Sequence, residues 1–268
     1  MRPLICTTFA ALACFLPVAA SAQQNPAEQH LLSARALYYT PTSDGLKSFH
    51  CGIAIDWKDL LTRFSGKPIP DDNPFLLYLN SVHLSVTDEL SGKGTLEWTE
   101  TTSPSETLAG PAGKIHGGME QTINGFFQAW NPFMNGDMVP IPDDSTKVTA
   151  LGDNINLHAT SGSTNVDEVF DKNLLLTSVH VVNPDMDSTI HPTYTDSPDG
   201  RIVSSLASTT SQPPTAPPLD VTMSATYTKI SSFQIPATVH VDVKNVAAFV
   251  FRFTACTVKT SALAAGKP

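Results

Sequence analysis

Alternation of apolar and polar positions is clearest in "FHCGIAIDW", where Phe49, Cys51, Ile53, Ile55 and Trp57 interleave with His50, Gly52, Ala54 and Asp56. A strict period of two over nine residues predicts a half-buried β-strand. Asp56 then suits the cap of a short helix with Trp57, Leu60, Leu61 and Phe64 on one side, and "DDNPFLLYL" offers a second start at Asn-Pro. "SVHLSVTDELSGKGTLEWTE" reads as a hairpin around a Gly-rich turn, with Val82, Leu84 and Val86 facing Leu96 and Trp98. Further strands are predicted in "KVTALGDNINLHAT", "NLLLTSVHVV", a pair turning at Asp199-Gly200, "DVTMSATYTKI", "ATVHVDV" and "AAFVFRFTACTV". Adjacent strands in such succession predict a meander.

Helical periodicity marks two longer segments. In "NPAEQHLLSARALYY", Asn25 is a natural N-cap, Pro26 suits the first helical position, and Ala27, Leu31, Ala34 and Tyr38 share one face. Farther on, Met119, Ile123, Phe126, Phe127 and Trp130 fall within about 120° of a helical wheel together with Ile115, opposite Glu120, Gln121, Asn124 and Gln128. This helix is expected to end before Pro132, and "TTSPSETLAGPAGK" ahead of it reads as a polar loop. Burying its six large apolar side chains stabilises the fold by about 9 to 18 kcal/mol before entropic costs, so the stripe needs no ligand to account for it. The segment near residues 211–219, with Pro213, Pro214, Pro217 and Pro218, is an insertion expected to be extended.

Composition narrows the class. Charged residues are only 15% of the chain while Thr, Ser, Pro and Val abound, which favours strands and turns. The opening "MRPLICTTFAALACFLPVAASAQQ" has Arg2, an apolar run from Leu4 to Ala20, and Ala20-Ser21-Ala22 as a small-x-small site; this predicts a secretory signal peptide over residues 1–22, cleaved after Ala22. A periplasmic or secreted chain follows, with a single domain over residues 23–268. No second apolar run is long enough to span a bilayer. The net charge of −9, with no basic run, excludes nucleic acid as an expected partner. Cleavage removes Cys6 and Cys14 and leaves Cys51 and Cys256, a pairable number in an oxidising compartment, so a disulfide joining the first and last strands is expected.

Catalytic motifs are not found: the chain has no G-x-S-x-G elbow, S-x-x-K, H-E-x-x-H or phosphate-cradling Gly-Lys-Ser/Thr loop. His116 and Glu120, at i and i+4, are two ligands and not a zinc set, and Asp185 and Asp187 lack the glycine and closing glutamate of a calcium loop. His50, His83, His180 and His240 lie in strands with no nucleophile assignable to them. No catalytic residue, metal or cofactor is therefore expected.

The secretion signal, the N-terminal helix before the strand at "LKSFHCGIAIDW", the "TYTDSPDGRIVSS" hairpin and the late "KISSFQIPATVHVDV" segment resemble the periplasmic lipoprotein carriers of the Lol type and their lipid-binding relatives. The resemblance implies an α+β fold: a curled antiparallel β-sheet, or half-barrel, with helices packed on its concave side around an apolar cavity for acyl chains. An all-β sandwich is the alternative. The expected function is non-enzymatic binding or carriage of a lipid, another hydrophobic small molecule or an acylated protein. The expected ligand-binding residues are Met119, Ile123, Phe126, Phe127 and Trp130 from the helix, with Ile53, Ile55 and Trp98 from the sheet. A structural or interaction domain of the cell envelope, and then a hydrolase of unfamiliar site, are the rivals.

Overall fold

The computed structural model describes residues 26–139 and 146–261. The signal segment and the Asn25 cap lie outside them. The elements run α1 (Pro26–Arg35), β1 (Leu46–Ile55), α2 (Trp57–Ser65), α3 (Pro74–Asn80), β2 (Val82–Asp88), β3 (Gly94–Glu100), α4 (Glu106–Asn135), β4 (Thr146–Leu151), β5 (Asn154–Ser161), β6 (Thr164–Phe170), β7 (Leu176–Asn183), β8 (Met186–Ser197), β9 (Gly200–Ser211), β10 (Leu219–Ile230), β11 (Phe233–Val243) and β12 (Ala247–Thr260).

All twelve strands join one antiparallel sheet in the order β3-β2-β1-β12-β11-β10-β9-β8-β7-β6-β5-β4. Each strand from β4 to β12 pairs with its neighbour in sequence, so the predicted meander is present, and one connected open sheet, which fits a curled sheet, replaces the sandwich alternative. β3 and β4 are its two edges, and α4 is the link between them. One face carries large apolar side chains and the other Thr, Ser, His and Lys, the division expected of an antiparallel sheet wet on one side. Along β1, for instance, Phe49, Cys51 and Ile53 are buried and His50 and Ala54 exposed.

Local signals set several boundaries. The Asp56 carboxylate accepts from Asp59 N at 2.9 Å, and Asn73 accepts from Phe75 N and Leu76 N with Pro74 opening α3. Leu84 stands opposite Trp98 and Val86 opposite Leu96, as the hairpin pattern predicts. Cys51 and Cys256 are bonded, closing a loop of 205 residues between adjacent strands β1 and β12.

Other expectations are corrected. The segment read as a polar loop is half helix: α4 starts at Glu106 after Ser105 and passes through Pro111, and it runs through Pro132 to Asn135 before Gly136, at φ 82°, ends it. Each proline removes one backbone donor, yet burial of Ala112 on one side and of Phe133 and Met134 on the other holds the flanking turns helical. Tyr38 is not on a helical face, because α1 stops at Arg35; it forms an isolated parallel bridge with Arg201. The β8–β9 turn centres on Pro198-Asp199, since Gly200 already pairs with Ser197. Strand β6 was not anticipated.

Candidate functional site

Helix α4 lays its apolar stripe on the sheet. Met119, Ile123, Phe126, Phe127 and Trp130 are each between 0 and 2% exposed. Phe126 stacks on Trp130 at 5.0 Å and meets Phe251 edge-on at 5.9 Å, while Phe127 lies 5.9 Å from Phe253 and 6.0 Å from Phe49. The Phe127 ring rests against Gly94 of β3, where a Cβ would come within 2.5 Å of Phe127 Cδ2; the helix approaches here only because the strand has no side chain.

All eight residues singled out from sequence belong to this one apolar cluster. Ile53 is buried beside Phe253, Ile55 is half-buried opposite Phe251, and Trp98 is half-buried toward the N-terminal half of α4, stacked on His116 at 4.6 Å. Phe49, Tyr227, Phe251 and Phe253 complete the sheet side of the cluster and were not singled out as site residues. Their signal was present in the aromatic alternation of the last strand, but only the β1–β12 pairing sets Phe251 and Phe253 beside the helix.

Few polar contacts hold α4 down. Trp130 Nε1–H donates to the Tyr227 hydroxyl at 2.8 Å, and that hydroxyl donates to Val203 O at 2.6 Å. Asn131 Nδ2 donates to Asp88 Oδ1 at 2.8 Å, which also accepts from Leu90 N. Burial pushes the Asp88 carboxyl up to about 6, against the pull of Asn131 and Leu90 N–H. Beyond the helix end, Arg35 donates to Gly136 O and Val139 O.

A second polar group lies farther along the sheet. Glu168, on β6, faces the same side as Val166 and Phe170, opposite Leu157 and beside Val179 in register. It is 4% exposed, its Oε2 has no hydrogen-bond partner among the described residues, and burial pushes its carboxyl up to about 8. Tyr194, on β8, also buries its hydroxyl, close to that of Tyr38, and its ring lies 5.2 Å from Tyr38 and 6.5 Å from Phe133 of α4.

Three cavities open elsewhere. One of ≈ 400 Å³ lies over β4 to β6 by Lys147, His158, Asp167 and Glu168, one of ≈ 430 Å³ follows the polar face of α4 by Glu120 and Asn124, and one of ≈ 350 Å³ sits between β7 and β8 by Tyr194. None of the three is lined by the stripe. Among the described residues no three of His, Cys, Asp and Glu gather as a metal set, and no helix is long and apolar enough to cross a membrane. Comparison with known proteins gives no match: no protein-family model, curated protein or solved structure is similar to the chain.

Proposed function

We propose that this is an exported, non-enzymatic binding or carrier protein for a hydrophobic ligand, a lipid or an acylated partner, in which α4 occupies the ligand's place until it is displaced. One observation carries the reading: the apolar face of the sheet is covered chiefly by a single helix tethered at the sheet's two unpaired edges. Moving that helix would uncover an aromatic trough without breaking a strand ladder.

Three further features support it. Helix α4 contains Gly110, Gly113, Gly117, Gly118 and Gly125, each with open space where a Cβ would stand, so packing does not require them. Together they weaken the helix by about 4 to 5 kcal/mol relative to alanine. From Phe126 to Phe133 the helix advances about 10 Å, whereas their partners Phe251 on β12 and Tyr194 on β8 lie four strand spacings apart, about 19 Å along a flat sheet. A sheet bent around the helix, as the Lol-type resemblance implies, reconciles the two lengths. Arg2, the apolar run after it, the Ala20-Ser21-Ala22 site and the Cys51–Cys256 bond fit export to the periplasm or beyond.

A second reading has its own observation. The stripe is fully covered by the chain itself, as in a domain of the cell envelope whose core is simply filled and which serves structure or protein interaction. Purification without detergent, organic extraction and mass spectrometry separate the two, followed by titration of the extracted protein with a fluorescent acyl probe. A carrier yields lipid or takes up the probe with saturable stoichiometry. Absence of both refutes the carrier reading and leaves the filled domain.

A further inference from the structure

The β7–β8 ladder stops at Val179 opposite Ile190, short of the start of β7 at Leu176. Past that point lies the cavity of ≈ 350 Å³, lined by Leu176 and Thr177 on one side and by Pro192, Tyr194, Asp196 and Arg201 on the other. Tyr194 stands opposite Val203 and Asp196 opposite Arg201 on β9, so the period of two sets Arg201 on the same face of the sheet as Tyr194, the face that meets Phe133 of α4. The Arg201 side chain is only 24% exposed, yet among the described residues its guanidinium makes a single hydrogen bond, from Nη1 to Asn173 O at 3.2 Å. The carboxylate in ion-pair range, that of Asp196, lies 3.8 Å from Nε and is 94% exposed, so water screens the pair. A guanidinium withdrawn this far from water, with most of its N–H donors unspent, is costly unless an anion supplies the acceptors.

We infer that this gap in the sheet is the seat for the singly charged anionic head of an amphiphile, held by Arg201: the carboxylate of a long-chain acid or the phosphodiester of a phospholipid. The inference rests on the carrier reading above: the chain of the same ligand would lie along the α4 stripe, which reaches the seat through Phe133 and Tyr194. The planar fork of an arginine matches two oxygens of either head group and supplies one compensating charge. An alcohol offers an acceptor without charge, and an ammonium group would face Arg201 as a like charge. Leu176, Pro192 and the Tyr194 ring give the first methylenes of the chain an apolar wall. Two acids act on the phenols beside the cavity. Asp171 turns its carboxylate to the N–H groups of Asn173 and Leu175, and Glu168, which burial raises to about 8, is mostly neutral at pH 7.

The test uses the delipidated protein at neutral pH with a long-chain carboxylic acid and, at the same chain length, the alkyl methyl phosphodiester, the alcohol and the primary amine, each below its micelle concentration. Wild type should bind the acid or the phosphodiester about tenfold more tightly than the alcohol, the margin of a charge-assisted over a neutral hydrogen bond, and the tighter of the two anions names the head group. In Arg201→Gln that preference should fall to near unity while alcohol binding is unchanged. Asp196→Asn, a change at an exposed side chain, should strengthen the preference by removing the competing carboxylate, and it decides the matter should Arg201→Gln fail to fold in a thermal melt. Binding of neither anion more tightly than the alcohol, an undiminished preference in folded Arg201→Gln, or an unchanged one in Asp196→Asn when Arg201→Gln does not fold, overturns the head-group assignment and leaves the carrier reading standing. Failure of all four amphiphiles to bind the folded wild type overturns both.

Discussion

Replacing Glu168 by glutamine should make the ligand-free protein more stable at neutral and alkaline pH. The carboxyl has an ordinary value of 4.5 and burial raises it to about 8 in the folded chain, while unfolding returns it to water. The sign follows from proton binding: between 4.5 and 8 the folded state holds a proton that the unfolded state has released, so stability falls as pH rises through this window and levels off above it. The full shift corresponds to about 5 kcal/mol, of which about 3 kcal/mol has been lost by pH 7 and about 4 kcal/mol by pH 8. Asp88, raised from 3.8 to about 6, contributes a similar fall at lower pH and is untouched by the substitution, so the diagnostic interval is pH 6 to 8. Urea unfolding followed by tryptophan fluorescence, with the disulfide intact, reads it directly. Wild type should lose about 1.4 kcal/mol per pH unit across that interval more than Glu168→Gln does, and the two should agree within about 1 kcal/mol at pH 5, where both side chains are neutral. A wild-type minus variant difference that stays constant from pH 6 to 8 would refute the burial of an unpartnered carboxyl at this position.

Three other outcomes are expected. Gly117→Ala and Gly118→Ala, each filling open space on α4, should raise stability by about 0.5 to 1 kcal/mol apiece and slow acyl-probe uptake; a stability loss in thermal melts would mean that these glycines serve packing after all. Gly94→Ala forces a Cβ into the Phe127 ring and against Val86, and should destabilise by about 1 to 3 kcal/mol in chemical denaturation, so an unchanged midpoint would place α4 farther from β3. Joint replacement of Cys51 and Cys256 by serine releases a 205-residue loop and should cost about 5 kcal/mol, visible as a drop in the urea midpoint and as the loss of any response of that midpoint to reductant.

Elements whose signals are local are legible in the chain alone. The alternation from Phe49 to Ile55, the Asp56 and Asn73 caps, the hairpin joining Val82–Val86 to Leu96–Trp98 and the stripe from Met119 to Trp130 all appear where periodicity and capping chemistry put them, because neighbours in the chain decide them. Cysteine parity likewise anticipated the bond between β1 and β12. Tertiary structure decided the rest. Helix α4 persists through Pro111 and Pro132 because burial of Ala112, Phe133 and Met134 outweighs the two lost hydrogen bonds, a balance no propensity contains. Strand β6 was hidden because "TNVDEVF" puts Glu168 between Val166 and Phe170 on the inner face and so breaks the apolar alternation. The same residue that masks the strand is the one whose Oε2 is left without a partner between Leu157 and Val179, as happens where a local rule is broken for a reason outside the segment. Tyr38 and Tyr194 are separated by more than half the chain and meet only when the meander folds back past the end of α1. Contacts of that separation arise from sheet order and register, which depend on the whole chain packing at once.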